Sequence, residues 1–354
     1  MEESESAEDI RQADTAGDSP ESADNENIEY VDASLADGKE IDIPADVPED
    51  LEGEYVENFK IATHNTGRLM LFAGDQKVEH LNNDFYGTSS LGPIPEDDNH
   101  PEHLFRIASQ GTIGVFAAQL GLVARYGPKY PDVNYLVKLN SKTNLVGKDQ
   151  MDPYSHLLWD VEQVVALKES SDLNILGVGY TIYLGSEYEG DMLEEAAQVI
   201  NDAHAAGLLV VLWIYPRGKA VQDEKDPHLI AGATGVANCL GADFVKVNYP
   251  KKEGVDSAVA LKEAVLSAGN THVVCAGGSS TDFTEFLERL HRQLHVGGVK
   301  GNATGRNIHQ KPLDVAVRMC DAISALTLGL KDVEFATRVY KGEATFKAKP
   351  KQSE

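Results

Sequence analysis

Three side chains in this 354-residue sequence stand where apolar runs would carry them into an interior, and each could do covalent or proton-transfer chemistry there. Lys246 interrupts the run Phe244-Val-Lys-Val-Asn248. Strand alternation sets Phe244, Lys246 and Asn248 on one face and Val245 and Val247 on the other. The valine face suits packing against helices, so Lys246 points into whatever the strands enclose. Lysine is rarely buried unless paired, because burying its charge is costly. It is therefore either a salt-bridged core residue, with Asp75 as partner, or an amine kept neutral for attack on a carbonyl. Taking its pKa from about 10.4 to about 7.4 costs about 4 kcal/mol, a cost an active site can bear. Lys138 repeats the pattern in its own run, with Leu136 and Asn140 as face-mates. Two such lysines within several ångströms depress each other's pKa. Tyr215 shares a face with Trp213 and Arg217. A tyrosine there is a rim residue or, beside an amine, a proton carrier whose phenol neighbouring cations would make more acidic.

A second group could hold an anion. Gly277-Gly278-Ser279 and Gly301-Asn-Ala-Thr-Gly305-Arg306 follow the last two apolar runs. Glycines there let backbone N–H groups approach an anion, and Arg306 can grip it bidentately. Glycine pairs also simply end strands; two such loops together with an arginine are the stronger signal.

Eight apolar runs supply the elements that must position these groups: Leu69–Ala73, Ile113–Ala117, Tyr135–Leu139, Leu176–Tyr183, Leu208–Ile214, Phe244–Val247, His272–Ala276 and Val296–Val299. Amphipathic stretches such as 191–206, 256–268 and 281–295 lie between them, the first with Asp191 as its expected N-cap. The runs recur about every 32 residues, the size of a βα unit, and eight such units make a (β/α)8 TIM barrel. Alternation alone also allows an open doubly wound sheet. Five runs end in reactive or glycine-rich sequence, and only a closed barrel brings all those ends to one mouth.

Charge sets the remaining bounds. The chain carries 57 Asp and Glu against 31 Lys and Arg, a formal net of −26. Residues 1–50 hold 18 of those acids, two bases and a single aromatic, Tyr30, so they are expected to be an acidic disordered tail. The barrel is expected over 51–335 and a C-terminal extension over 336–354. Such acidity disfavours nucleic-acid and anionic-membrane partners. No 18-residue apolar stretch suggests a membrane span. Cys239, Cys275 and Cys320 are too few and too scattered for a disulfide scaffold and suit a reducing cytoplasm. Lys77, Lys138, Arg217, Lys246, Lys300 and Arg306 are expected to make the mouth positive within this acidic body.

The set Gly74-Asp75-Gln-Lys-Val-Glu-His80, Lys138-Leu-Asn140, Gly179-Tyr-Thr-Ile-Tyr-Leu-Gly-Ser186, Trp213-Ile-Tyr215-Pro-Arg217-Gly, Phe244-Val-Lys246-Val and Gly305-Arg306-Asn-Ile-His-Gln310 resembles the archaeal-type class I fructose-bisphosphate aldolases over about residues 60–330. The resemblance implies a (β/α)8 barrel that cleaves a phosphorylated sugar through a lysine Schiff base, without metal or other cofactor. It implies Lys246 as the Schiff-base lysine and Tyr215 as the general acid/base, with Asp75 assisting the proton transfers. His80, Lys138, Trp213, Arg217, Gly277, Gly278, Ser279, Gly305 and Arg306 would bind substrate. The family often has serine before the glycine pair, where this chain has Ala276. Relatives act on other phosphorylated ketoses by aldol or transaldol chemistry, which stays open here. Barrels of this kind commonly associate, so a homo-oligomer is expected. A zinc enzyme is the rival within enzymes, but His291/His295 and His100/His103 lack the spacing and carboxylate of a zinc motif. A non-catalytic acidic-tailed scaffold is the rival outside them.

Overall fold

The computed structural model describes residues 28–32 and 41–348. Eight parallel strands close into a barrel: β1 (Leu69–Ala73), β2 (Val115–Gln119), β3 (Tyr135–Lys138), β4 (Ile175–Leu184), β5 (Leu209–Pro216), β6 (Phe244–Val247), β7 (His272–Ala276) and β8 (Gly301–Thr304). β8 pairs with β1, Leu71 lying opposite Ala303, which completes the ring. Helix α1 (Glu52–Thr63) precedes the barrel. Each strand is followed by a helix: α2 (Glu102–Gln110), α3 (Leu120–Tyr126), α4 (Val161–Glu169), α5 (Glu189–His204), α6 (Pro227–Leu240), α7 (Ser257–Ser267), α8 (Phe283–Arg292) and α9 (Leu313–Thr327). A last helix, α10 (Val333–Lys341), packs on α8 and α9.

Period-two patterning divides the strand residues between two cores. Leu69, Leu71, Val115, Ala117, Leu136, Val211, Trp213 and Phe244 fill the barrel interior, while Met70, Phe72, Phe116, Val137, Val245 and Val247 meet the helices. Lys246 and Lys138 therefore do face inward. Below them Phe59 of α1 stacks on Phe244 at 5.6 Å and closes the N-terminal end. Tyr55 of α1 donates to Asp243 at 2.5 Å, and the Nδ1 of His204 meets Asp46 at 2.9 Å, so residues 41–63 are strapped under the barrel. A cavity of about 900 Å³ lies at this end, lined by Ile41, Tyr55, Phe59, Lys60, Asp243 and Lys300, remote from both inward lysines.

Three expectations change. The eighth strand is Gly301–Thr304; residues 296–297 belong to the wide turn Gln293–Gly297. This strand is polar, yet buried, because Asn302 donates to the Thr327 hydroxyl at 2.7 Å and accepts from Thr304 at 3.0 Å. At Gly301 a Cβ would lie 2.0 Å from the Leu69 carbonyl oxygen, so the closing contact admits only glycine. Helix α5 starts at Glu189, with Tyr188 rather than Asp191 before it and no side-chain cap. Of the segment expected to lack structure, residues 1–27 and 33–40 lie outside the described residues. The rest is ordered: Ile28–Tyr30 pairs in parallel with Thr345–Lys347, and Phe346 is fully buried. Among the described residues no helix is long and apolar enough to cross a membrane.

Candidate active site

The carboxyl ends of the strands assemble one constellation. Lys246 is 5% exposed and Lys138 is 2% exposed, so both amines are withdrawn from bulk water. Between them lies the indole of Trp213, its ring centroid 5.1 Å from Lys246 Nζ and 5.3 Å from Lys138 Nζ. Gly179 makes this possible, since a Cβ there would stand 2.4 Å from the indole. Lys138 donates to the Asn140 carbonyl at 2.8 Å and to Asn140 Oδ1 at 2.7 Å. Among the described residues Lys246 has no comparable fixed acceptor, which leaves its amine free to react.

Burial lowers the pKa of both lysines. For Lys138 it wins over Asp75 and Glu79, with Lys246 adding to it, and the value falls to about 8. For Lys246 burial again leads, opposed by Asp75 and Glu79 and reinforced by Arg306. The amine is thus shifted toward the neutral form that attacks carbonyls. Asp75 immediately precedes the short turn Gln76–Glu79 after β1 without capping it, and its Oδ1 is buried with no hydrogen-bond partner among the described residues. Trp213 Nε1 is likewise buried and unpartnered, an N–H donor inside the site.

Tyr215 differs from expectation. Its ring stacks with Tyr183 at 6.4 Å, and the Arg217 guanidinium lies 5.4 Å above it. The phenol pKa is nevertheless raised well above its ordinary value, because burial and the carboxylates of Glu79 and Asp75 outweigh Arg217 and Arg306. Tyr215 therefore rests as a neutral phenol, a proton donor before it is an acceptor. Arg217 is itself held by Glu224 at 3.0 Å and faces Glu79 at 3.5 Å.

The two glycine loops meet beside this group. Asn307 stitches them together: its Nδ2 donates to the carbonyls of Gly277 (3.2 Å) and Ser279 (3.1 Å), and its Oδ1 accepts from the Thr281 amide (3.0 Å). Gly278 has φ +73°, a left-handed conformation that favours glycine. Gly305 packs against Gln76 so closely that a Cβ would fall 2.1 Å from its amide nitrogen. Arg306 follows and faces Asp84 at 3.6 Å, while Asp84 also binds His80.

Residues 69–311 match the sequence model of the DeoC/LacD family of aldolases. The chain belongs to that family. It is 57% identical to the fructose-bisphosphate aldolase/6-deoxy-5-ketofructose 1-phosphate synthase of Methanocaldococcus jannaschii, over 86% of this chain and 96% of the relative. A solved fructose-bisphosphate aldolase from Slackia heliotrinireducens superposes with a TM-score of 0.83 at 58% identity, covering 86% of this chain and 95% of that one. A third comparison is an archaeal fructose-1,6-bisphosphate aldolase solved with its catalytic lysine bound to a carbinolamine intermediate. It has a TM-score of 0.66 and 30% identity, covering 79% of this chain and all of that one.

Against this family background, the structure gathers Lys246, Lys138, Trp213, Tyr215, Arg217 and Asp75 around one centre, with Gly277, Gly278, Ser279, Gly305 and Arg306 in the adjoining loops. His80 stands at the edge of the group, against Asp84. Lys300 does not belong: it precedes β8 at the opposite, N-terminal end and lines the lower cavity. Nor is the mouth simply positive, since Glu79, Glu224 and Asp84 stand beside its cations. Two contributors escaped sequence reasoning. Glu79 accepts from the Tyr183 hydroxyl at 3.2 Å and raises the pKa of Tyr215. Asn307 is the other. Glu79 lay in the same run as Asp75 and His80, but nothing about spacing singled out its inward direction.

Proposed function

We propose that this chain is a class I fructose-bisphosphate aldolase that cleaves fructose 1,6-bisphosphate reversibly to dihydroxyacetone phosphate and glyceraldehyde 3-phosphate. The observation that carries it is the pair of buried lysines on either side of Trp213, one hydrogen-bonded to Asn140 and one free. Lys246, as the neutral amine, attacks the C2 ketone, and proton exchange through Asp75 gives a neutral carbinolamine. Tyr215 donates its proton to the carbinolamine hydroxyl, water leaves, and an iminium remains beside a phenolate. That phenolate takes the C4 hydroxyl proton as the C3–C4 bond breaks, and the electron pair moves into the iminium to form an enamine. Glyceraldehyde 3-phosphate leaves. Tyr215, again neutral, protonates the enamine at C3; water then adds to the iminium and dihydroxyacetone phosphate is released. A resting phenol of raised pKa fits this cycle, because donation comes first. Lys138 and Trp213 Nε1 direct donors at the sugar, and Arg306 with the glycine loops holds one phosphate. No step draws on a metal, so activity should survive EDTA.

Borohydride added with dihydroxyacetone phosphate should reduce the iminium and fix the ligand on Lys246, seen as a mass increase on the peptide that carries it. An unmodified Lys246 with turnover intact would sink the proposal. A second outcome is favoured by the double name of the Methanocaldococcus relative: the enamine on Lys246 is captured by a different aldehyde, which makes the protein a transaldolase on phosphorylated ketoses. Cleavage and exchange assays over a panel of sugar phosphates separate the two. The proposal extends to a homo-oligomer working in the cytoplasm, tested by light scattering and by fractionation.

A further inference from the structure

We infer that Asp98 and His309 are positioning residues that aim Arg306 at the substrate's phosphate; the inference rests on the aldolase proposal above. Arg306 sits on a single turn, Arg306–His309, whose internal bonds run from the Ile308 and His309 amides to the Gly305 carbonyl, at 2.8 and 3.0 Å. One turn of helix does not hold itself. Its direction must come from what it touches, and the segment between β1 and α2, together with the first turn of α2, supplies the contacts. His309 Nδ1 bonds both carboxylate oxygens of Asp98, at 2.8 and 3.0 Å, and both side chains are fully buried. Phe85 lies parallel on the His309 ring at 4.7 Å and 10°. The His103 ring, through Nε2, meets the His309 carbonyl at 3.2 Å. Gln310 Nε2 donates to the Asp84 carbonyl at 2.7 Å, and the Asp84 carboxylate faces Arg306 Nε.

Asp98 has no access to water, so its carboxylate depends on His309 for compensation. The imidazole is thereby fixed in two directions, in its plane by Asp98 and across its face by Phe85. Arg306 and His309 are three residues apart on the turn and move together. Loosening Asp98 therefore lets the guanidinium swing, while Lys246, on a different strand, keeps its place. This separates phosphate binding from imine chemistry and makes the pair distinguishable from a general prop of the fold.

The experiment is borohydride trapping on Lys246, titrated with dihydroxyacetone phosphate and with dihydroxyacetone. Asp98→Asn should raise the half-saturating concentration of the phosphorylated ketone about tenfold, the loss of one charge-assisted grip. It should leave dihydroxyacetone unchanged. In an Arg306→Ala background the same substitution should add nothing, because its effect passes through Arg306. Phe85→Leu should give the same split, more weakly, and serves if Asp98→Asn does not fold. Equal weakening of both ketones, or an Asp98→Asn effect that persists without Arg306, overturns the inference. Absence of trapping in the unaltered protein overturns the aldolase proposal and this one with it.

Discussion

Lys138→Met should make the protein more stable at neutral pH while impairing its turnover. Lys138 is 2% exposed, and burial takes its pKa from 10.5 to about 8. In the unfolded chain the same amine titrates near its ordinary value. Below pH 8 both states hold the proton, and the folded state bears the full cost of a buried charge. Between pH 8 and 10.5 the unfolded state holds more proton than the folded one, so stability rises with pH through that window. Above it neither state is charged and the cost is gone. At about 1.4 kcal/mol per pH unit, the cost below pH 8 is about 3 kcal/mol. Methionine has a similar length, carries no charge and keeps contact with the indole. It forgoes the two hydrogen bonds to Asn140, each worth about 1 kcal/mol, although Asn140 Oδ1 still accepts from the Thr181 amide at 2.7 Å. The balance at pH 7 is a gain of about 1–2 kcal/mol, reversing to a loss of about 1–2 kcal/mol near pH 10.5. Guanidinium unfolding of both proteins at the two pH values, followed by circular dichroism, measures it. A variant less stable at pH 7, or a difference that does not move with pH, would refute the reasoning. Turnover should fall at least tenfold, because a donor aimed at the sugar is lost.

Two further outcomes follow from the same geometry. Tyr215→Phe should lower cleavage by about 10²–10⁴-fold, the usual yield of a positioned acid/base, while Lys246 still becomes labelled on long incubation. Mass spectrometry beside a cleavage assay checks this, and near-normal turnover would remove Tyr215 from the proton path. Gly179→Ala places a Cβ 2.4 Å from the Trp213 ring and 3.1 Å from Leu136 Cδ2, so the indole must move by about 1 Å. The expected result is about 1–3 kcal/mol of destabilisation and up to a hundredfold loss of turnover. Turnover within twofold of normal would show that the position of the indole does not matter.

The inward lysines were legible because strands have only two faces and the valines beside Lys246 claimed one of them. β6 and β7 likewise begin and end where their apolar runs do. β8 was not legible, because its polar residues satisfy each other and Thr327, a partner 25 residues from Asn302 in sequence. The ordered strand of the N-terminal segment was hidden for a related reason. Ile28–Tyr30 gains its order from Thr345–Lys347, at the far end of the chain. The direction of the Tyr215 shift went astray because nearby cations show in the sequence, whereas burial and the inward turn of Glu79 do not. Lys300 was misplaced along with its strand. What escapes a single sequence here is long-range compensation, in which one group's burial is licensed by another far away in the chain.

The acidity acquires a local meaning from the caps. A barrel helix descends from the end at which its preceding strand finishes, so helix N-termini ring the mouth together with the lysines. Each presents unpaired N–H groups and the positive end of a dipole, an attractive place for any phosphate. Four of these helices begin with an aspartate whose side chain accepts from the first-turn amides: Asp160 before α4, Asp226 before α6, Asp256 before α7 and Asp282 before α8. Those ends carry their own anion and compete poorly for another. The turn that begins at Arg306 has no side-chain cap, and Gly305 precedes it. Those four carboxylates thus do not oppose an anionic substrate: each is engaged by first-turn amides, whereas the Gly305–Arg306 turn, like the starts of α2, α3, α5 and α9, has no side-chain cap. A bisphosphate ligand and a net charge of −26 are compatible on this account, because many carboxylates are engaged at helix starts or by individual cations, and at Lys246 the opposing pull of Asp75 and Glu79 is outweighed by burial, with Arg306 adding to it.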